Sequence, residues 1–355
     1  METALNMSKA RIEMTSEHLS IETRNASRLL TGAGSSEPFT EIPMVSIAAL
    51  RGADAAAKQD VADAIRAACL EVGFFYVTGH DVDPRIQADA FAAAQRFFAL
   101  PEAQKRAVSL KNSPLLRGYG GLLEENTDPD NHGDLHEHFD LALDLDPDDP
   151  DAAAGIYGCG PNQWPDIANF REPVMAYHRE MLRLSGQLYR GFALSLDLPE
   201  DYFDPHITKP IAELRLAHYP PQTPVHDPDK VMGIGAHSDY DVFTILATDD
   251  VPALEVQNAA DQWIPAPAIE GAFIVNVGDL LQRWTNDLYR STFHRVVNRT
   301  GRERYSLPFF SSTNPTAALG VLDNCQSVDR PARYAPISAA DYIGALMRES
   351  YGMSD

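Results

Sequence analysis

Apolar positions recur with two different periods along this chain, and the change of period divides it. Over 53–72, "ADAAAKQDVADAIRAACLEV", Val61, Ile65, Ala68 and Val72 fall at helical spacing. A second helix is expected over roughly 84–98 and a long one over roughly 169–196. "LPEAQK" (100–105) reads as a proline-started helical turn. "IPMVSI" (42–47) and "GFFYVTGH" (73–80) read as strands, whereas 111–165, dense in Gly, Pro, Asp and Asn, predicts loops. From Glu213 onward short strands are expected at 213–219, 232–237, 242–247, 253–257, 272–276, 292–297 and 303–311. Many short strands at this spacing predict a sandwich or barrel. Ser338 is a good N-cap for a closing helix over 338–351. Helices first and a β-core second give an α+β outline rather than alternating β/α units.

Composition narrows the classes of function. With 355 residues the chain can hold one large domain or two ordinary ones, and 44% hydrophobic with 23% charged residues matches a soluble globular average. The balance of 29 basic against 51 acidic residues, −22 overall, argues against a nucleic-acid or anionic-membrane surface. No uninterrupted apolar stretch approaches a membrane span. The first 40 residues are polar and Ser/Thr-rich and read as a disordered tail; Glu2, Glu13, Glu17 and Glu22 speak against a transit peptide. Cys69, Cys159 and Cys325, odd in number and widely spaced, suit reduced thiols in a cytoplasmic protein rather than disulfides or a zinc ribbon.

The chemistry starts at "GIGAHSDYDVFTIL" (233–246), where His237 and Asp239 stand two apart among β-formers. In a strand these two project together while Ser238 points away. Alone, such a pair is more often a surface contact or a core hydrogen bond than a metal site, since polar pairs of this kind need no metal. His294, in "YRSTFHRVVN", adds a second imidazole 55 residues after Asp239, and two histidines with one carboxylate form a facial triad suited to ferrous iron. In "RERYSLPFF", Arg304 and Ser306 share a strand face with Tyr305 on the other. "NRTGRE" supplies a turn, so the His294 and Arg304 strands are expected to pair as a hairpin. The planar guanidinium of Arg304 would grip a carboxylate bidentately.

These motifs, "HSD" (237–239), "H" (294) and "RYS" (304–306), closely resemble the isopenicillin N synthase-like family of iron(II)- and 2-oxoglutarate-dependent oxygenases. "LRLAHYPP" (214–221), "VNVGDLLQRWTND" (275–287), "RSTFHRV" (290–296), "IPMVSI", "VGFFYVTGH" and "RGYGG" support the match, which covers about 41 to 350. The resemblance implies a double-stranded β-helix (jelly-roll) core with helices outside it. It divides the chain into an N-terminal dioxygenase region at 41–160 and an oxygenase core with C-terminal helix at 161–355. It implies that His237, Asp239 and His294 ligate Fe(II). Arg304 and Ser306 would hold the distal carboxylate of 2-oxoglutarate, with Tyr219 adding a hydroxyl. It implies O2-dependent hydroxylation, desaturation or cyclisation of a small molecule, such as an amino acid or secondary metabolite, with release of succinate and CO2. Retention of Asp239 disfavours halogenation, which would need that ligand position vacant.

Substrate contacts are expected in the loop region and beside the triad, at Arg117, Tyr119, Glu125, Thr127 and Tyr240. Arg117 and Glu125 together hint at a zwitterionic substrate. "HEHFD" (136–140) sets His136 and His138 at strand spacing but lacks the HExxH pattern of a zinc protease, and is expected to serve in a pocket wall or on the surface. Competing readings are an iron oxidase without 2-oxoglutarate, an ethylene-forming branch, a zinc hydrolase using the same triad, and a non-catalytic jelly roll. The sequence carries no signal of oligomeric state.

Overall fold

The computed structural model describes residues 38–127, 133–221 and 232–350, so most of the expected tail lies outside the described residues. Helices form where the sequence caps them. Asp54 accepts backbone hydrogen bonds from Ala56 and Ala57 at the start of α1 (Ala55–Glu71), and Asp83 with Pro84 opens α2 (Pro84–Phe98). A short α3 (Glu102–Arg106) follows, and α4 (Arg171–Ser195) is the long helix. Its buried residues Val174, Tyr177, Met181, Leu184, Leu188 and Phe192 recur every three or four positions, the stripe that packs on a sheet.

That sheet has eight strands: β1 (Met44–Ser46), β2 (Phe74–Thr78), β3 (Gly118–Gly120), β4 (Glu137–Leu141), β5 (Ala212–Tyr219), β7 (Phe243–Thr248), β10 (Phe273–Val277) and β12 (Arg304–Ser311). Their spatial order is β1-β2-β10-β7-β12-β5-β4-β3. A second sheet runs β6-β11-β8-β9, with β6 (Ile234–His237), β8 (Leu254–Gln257), β9 (Trp263–Pro265) and β11 (His294–Val296). The two sheets form the jelly-roll sandwich, with a shared core between them, and helix α4 covers the outer face of the larger sheet, with Phe192 against Phe75 and Tyr189 against Phe243. Alternation explains the layers: Phe75 and Val77 join the helix-side core, while Phe74 and Tyr76 join the core between the sheets. Helices α5 (Asp279–Trp284) and α6 (Ala339–Ser350) complete the described elements used below.

Two expectations need correction. The His294 and Arg304 strands do not form a hairpin: β11 pairs with β6 and β8, whereas β12 pairs with β5 and β7. The turn is present, since Asn298 accepts from Thr300 N and donates to Arg302 O, but it carries the chain from one sheet to the other. The loop-rich region also contains β4, a fully buried strand rich in polar residues. Among the described residues, no helix is long and apolar enough to cross a membrane.

Candidate active site

Register on the larger sheet sets one wall of the cavity between the sheets. Arg304 lies opposite Tyr219, Ser306 opposite Ala217 and Thr248, and Phe310 opposite Glu213 and Thr244. Asn276 lies between Thr244 and Phe74. Side chains alternate, so Arg304, Ser306, Pro308 and Phe310 all face the cavity, together with Tyr219, Arg215 and Glu213.

His237 ends β6 and lies directly opposite His294 on β11, with ring centroids 4.2 Å apart. Asp239 is just past the strand, and each histidine Nε2 is 3.6 Å from its Oδ1. Ligand atoms of the three residues lie within 4.8 Å of one another. Their orientation is fixed from behind. His237 Nδ1 contacts Gly235 O at 2.8 Å and His294 Nδ1 contacts Thr292 O at 3.2 Å, a pairing that places the proton on Nδ1 and leaves Nε2 as a lone-pair donor. Thr244 Oγ1 and Asn276 Nδ2 both donate to Asp239 Oδ2, the latter at 2.7 Å. The backbone of Asp239 accepts from Asp279 N at 2.8 Å. Gly278 permits that approach, because a Cβ there would stand 2.1 Å from Asp241 O.

Burial alone would raise the Asp239 carboxyl, but the two imidazoles and the hydrogen bonds from Thr244 and Asn276 outweigh it and hold it below its usual range. His294 is pushed down to about 4, by burial first and then by His237. Near neutral pH the arrangement offers an ionised carboxylate oxygen and a neutral His294. This donor set fits a divalent first-row metal with open positions.

Arg304 is 1% exposed and, among the described residues, its Nε and Nη1 have no hydrogen-bond partner, nor does the buried Ser306 hydroxyl. No ion pair is formed by Arg304 among the described residues. The Tyr219 ring lies under the guanidinium, 4.6 Å from ring centroid to Cζ. A buried guanidinium with idle donors is costly unless an anion completes it, and a carboxylate would satisfy the fork.

The expected substrate contacts divide. Glu125, Thr127 and Tyr240 line the cavity. Arg117 and Tyr119 do not line it. The Arg117 guanidinium, 2% exposed, is consumed by the oxygens of Leu143, Gly158, Gly160 and Asn162, which organise the loop region. Tyr119 faces the helices, its hydroxyl on Glu137 at 2.7 Å and its ring near Phe97. With Arg117 committed to carbonyls, the hint of a zwitterionic substrate loses its anion-binding half. Glu125 is also engaged: Arg215 donates to it at 2.7 Å and reaches Asp140 at 2.8 and 2.9 Å.

Glu125, His136 and His138 form a second buried group whose ligand atoms lie within 4.8 Å of one another. His136 Nε2 stands 3.2 Å from Glu125, and His138 Nε2 stands 3.4 Å from Asp140. Burial and the neighbouring Arg215 hold His138 well below its usual range, so it is neutral here. Thr244, Asn276, Glu213 and Asp241 were not singled out in the sequence. A lone amide in "FIVNV" and the two-residue alternation back from Tyr219 through Arg215 to Glu213 were the available signals.

Comparison with known proteins adds the family. Residues 42–167 match the model of the N-terminal region of the non-haem dioxygenase in morphine synthesis, and 210–313 match the 2OG-Fe(II) oxygenase superfamily. A 2-oxoglutarate-Fe(II) type oxidoreductase, hxnY, of Emericella nidulans is 36% identical over 321 residues, covering 89% of this chain and 92% of its own length. A 2OG-Fe(II) oxygenase family protein from Caulobacter crescentus superposes with a TM-score of 0.77 at 30% identity, covering 88% of this chain and 99% of its own. A full-length Neurospora crassa protein, crystallised in complex with alpha-KG, superposes with a TM-score of 0.76 at 26% identity, over 86% and 95% of the two chains.

Proposed function

The chain belongs to the 2OG-Fe(II) oxygenase superfamily and is an iron(II)- and 2-oxoglutarate-dependent oxidoreductase, and on that premise we propose which residues perform the reaction. His237, Asp239 and His294 hold the iron, and Arg304 with Ser306 binds the distal carboxylate of 2-oxoglutarate. The iron, when bound, supplies the oxygen-dependent decarboxylation of 2-oxoglutarate to succinate and CO2, coupled to oxidation of a small organic substrate.

The protein's part is positioning. Thr244 and Asn276 hold one oxygen of Asp239 and leave Oδ1 turned toward the two imidazoles. Tyr219 keeps the guanidinium of Arg304 against its ring. Phe74, edge-on to His294 at 5.2 Å, joins Leu246, Leu254 and Val296 in an apolar lining that limits water near the triad. The observation that carries this assignment is the pairing, in one cavity, of a converging His/His/Asp group with a buried Arg304 whose Nε and Nη1 find no acceptor among the described residues. A reduced intracellular setting suits the three buried, unpaired cysteines, and we take the enzyme to work in the cytoplasm on a metabolite.

The test is anaerobic titration of the iron(II) protein with 2-oxoglutarate, followed by counting succinate and CO2 per oxygen consumed. One of each per oxygen is expected. Oxygen consumption with no 2-oxoglutarate binding would give the site to an oxidase in which Arg304 grips the substrate instead.

A further inference from the structure

The charges lining the cavity can be accounted for one at a time. Asp239 faces the two imidazoles, Arg304 lacks an anion that 2-oxoglutarate would supply, and Glu125 is paired with Arg215. Arg215 is shared with Asp140, so its fork is fully used. Two carboxyls remain, Glu213 on β5 and Asp241 in the turn after the HSD motif, and both line the cavity. Neither makes an ion pair or a side-chain hydrogen bond to another described residue. Asp241 is 7% exposed, a nine-tenths buried polar group aimed into the space. Around them the wall is apolar: Phe310 lies opposite Glu213, and Ile211, Ile343 and Met347 line the same space.

Resting on the functional reading above, we propose that Glu213 and Asp241 form the subsite for a cationic nitrogen, and that the substrate is a basic amine, guanidine or protonated heterocycle on an apolar frame. Two carboxyls facing an apolar cavity with no ion pair to a described residue are costly, and one ammonium group offers donors to both. The state of Glu213 agrees: burial, then the charge of Asp140, pushes its carboxyl up to about 8, so the protein by itself holds it largely protonated near neutral pH. A cation would replace that proton. Arg117 and Arg215 act on Glu213 through their charge alone and only partly offset its burial; the Arg117 donors are taken by carbonyl oxygens and it makes no ion pair with Glu213 among the described residues.

The experiment is calorimetry, without oxygen, on the protein loaded with iron(II) and 2-oxoglutarate. The probes are phenylalkylamines of two to four methylenes with the phenylalkanols and phenylalkanoates of the same lengths. At least one amine should bind about tenfold or more tightly than its alcohol, and carboxylates should bind weakest. Glu213→Gln and Asp241→Asn should each remove most of the amine advantage while changing alcohol affinity little. If no amine exceeds its alcohol in the wild-type protein, the proposal falls whether or not the variants fold. It falls equally if the advantage survives both substitutions. Titration of 2-oxoglutarate is read separately: its failure to bind would overturn the co-substrate assignment and leave the amine comparison, repeated on the metal-free protein, to stand or fall alone.

Discussion

Two buried groups, one lining the cavity and one reaching it only through Glu125, carry the same residue types, two histidines and one carboxylate, and differ in what already satisfies them. In the group of Glu125, His136 and His138, a guanidinium is built in. Arg215 donates to Glu125 and Asp140 with side chains that are each less than a tenth exposed. That group carries its cation in the chain. In the group of His237, Asp239 and His294, the supporting contacts are neutral. Thr244 and Asn276 donate to one carboxylate oxygen, backbone carbonyls take the Nδ1 side of both imidazoles, and the remaining donor atoms converge. Ligand-type residues within reach of one another are therefore a weak sign of a metal. The identity of their outer partners separates a closed ion-pair network from an open coordination site.

Substitutions can break or sharpen that contrast. The largest effect is expected from His237→Ala or His294→Ala, which should reduce iron(II) retention and succinate release by well over the ~10–100-fold typical of losing an outer partner. Metal analysis after gel filtration, with turnover assays, checks this. Next comes Arg304→Ala. Removing one side of a buried charge-assisted pair costs about 2–5 kcal/mol, which is roughly thirtyfold to several thousandfold in 2-oxoglutarate affinity. Arg304→Lys should recover part of it, since the charge remains but the fork is lost. Thr244→Val and Asn276→Leu should weaken iron(II) binding by about 10–100-fold each, measured by competition with a chelator.

The smallest effect on iron is expected from Arg215→Met, which should change iron(II) affinity by less than about threefold, far under the cost of losing an outer partner. Its cost appears elsewhere. Glu125 and Asp140 lose their guanidinium, and denaturant unfolding of the metal-free protein should show a loss of about 3–5 kcal/mol. His294→Ala should show the opposite pattern, with iron lost and metal-free stability little changed. A shared pattern in the two variants would erase the distinction between the groups.

How much of this was legible in sequence depended on whether the deciding interaction was local. Helices with their own caps, such as those starting after Asp54 and Asp83, were readable. Strands with apolar alternation were also readable, and Arg304 and Ser306 do share a face while Tyr305 stacks on His218 on the other side. Strand β4 was hidden in a loop-rich region because its inward positions are His138 and Asp140, polar groups whose partners come from β5 and the loop at 125. The turn at 298–302 was visible, but the sheet each flanking strand joins is set by long-range pairing. His237 and Asp239 do face the same space, although the strand ends at His237 and the approach of 278–280 holds Asp239 in place. Arg117 misled for a related reason: an arginine in a glycine-rich loop looks available for a ligand until the carbonyls that surround it are known.

If one of the two groups takes the metal and the other does not, iron stoichiometry separates them. The most direct measurement is the iron(II) bound per chain at saturation in wild type, His294→Ala and His136→Ala, each verified as folded by circular dichroism. About one equivalent, essentially none, and about one are expected in that order for a two-histidine, one-carboxylate centre. Two equivalents in the wild type, or loss of iron in His136→Ala with retention in His294→Ala, would contradict that assignment.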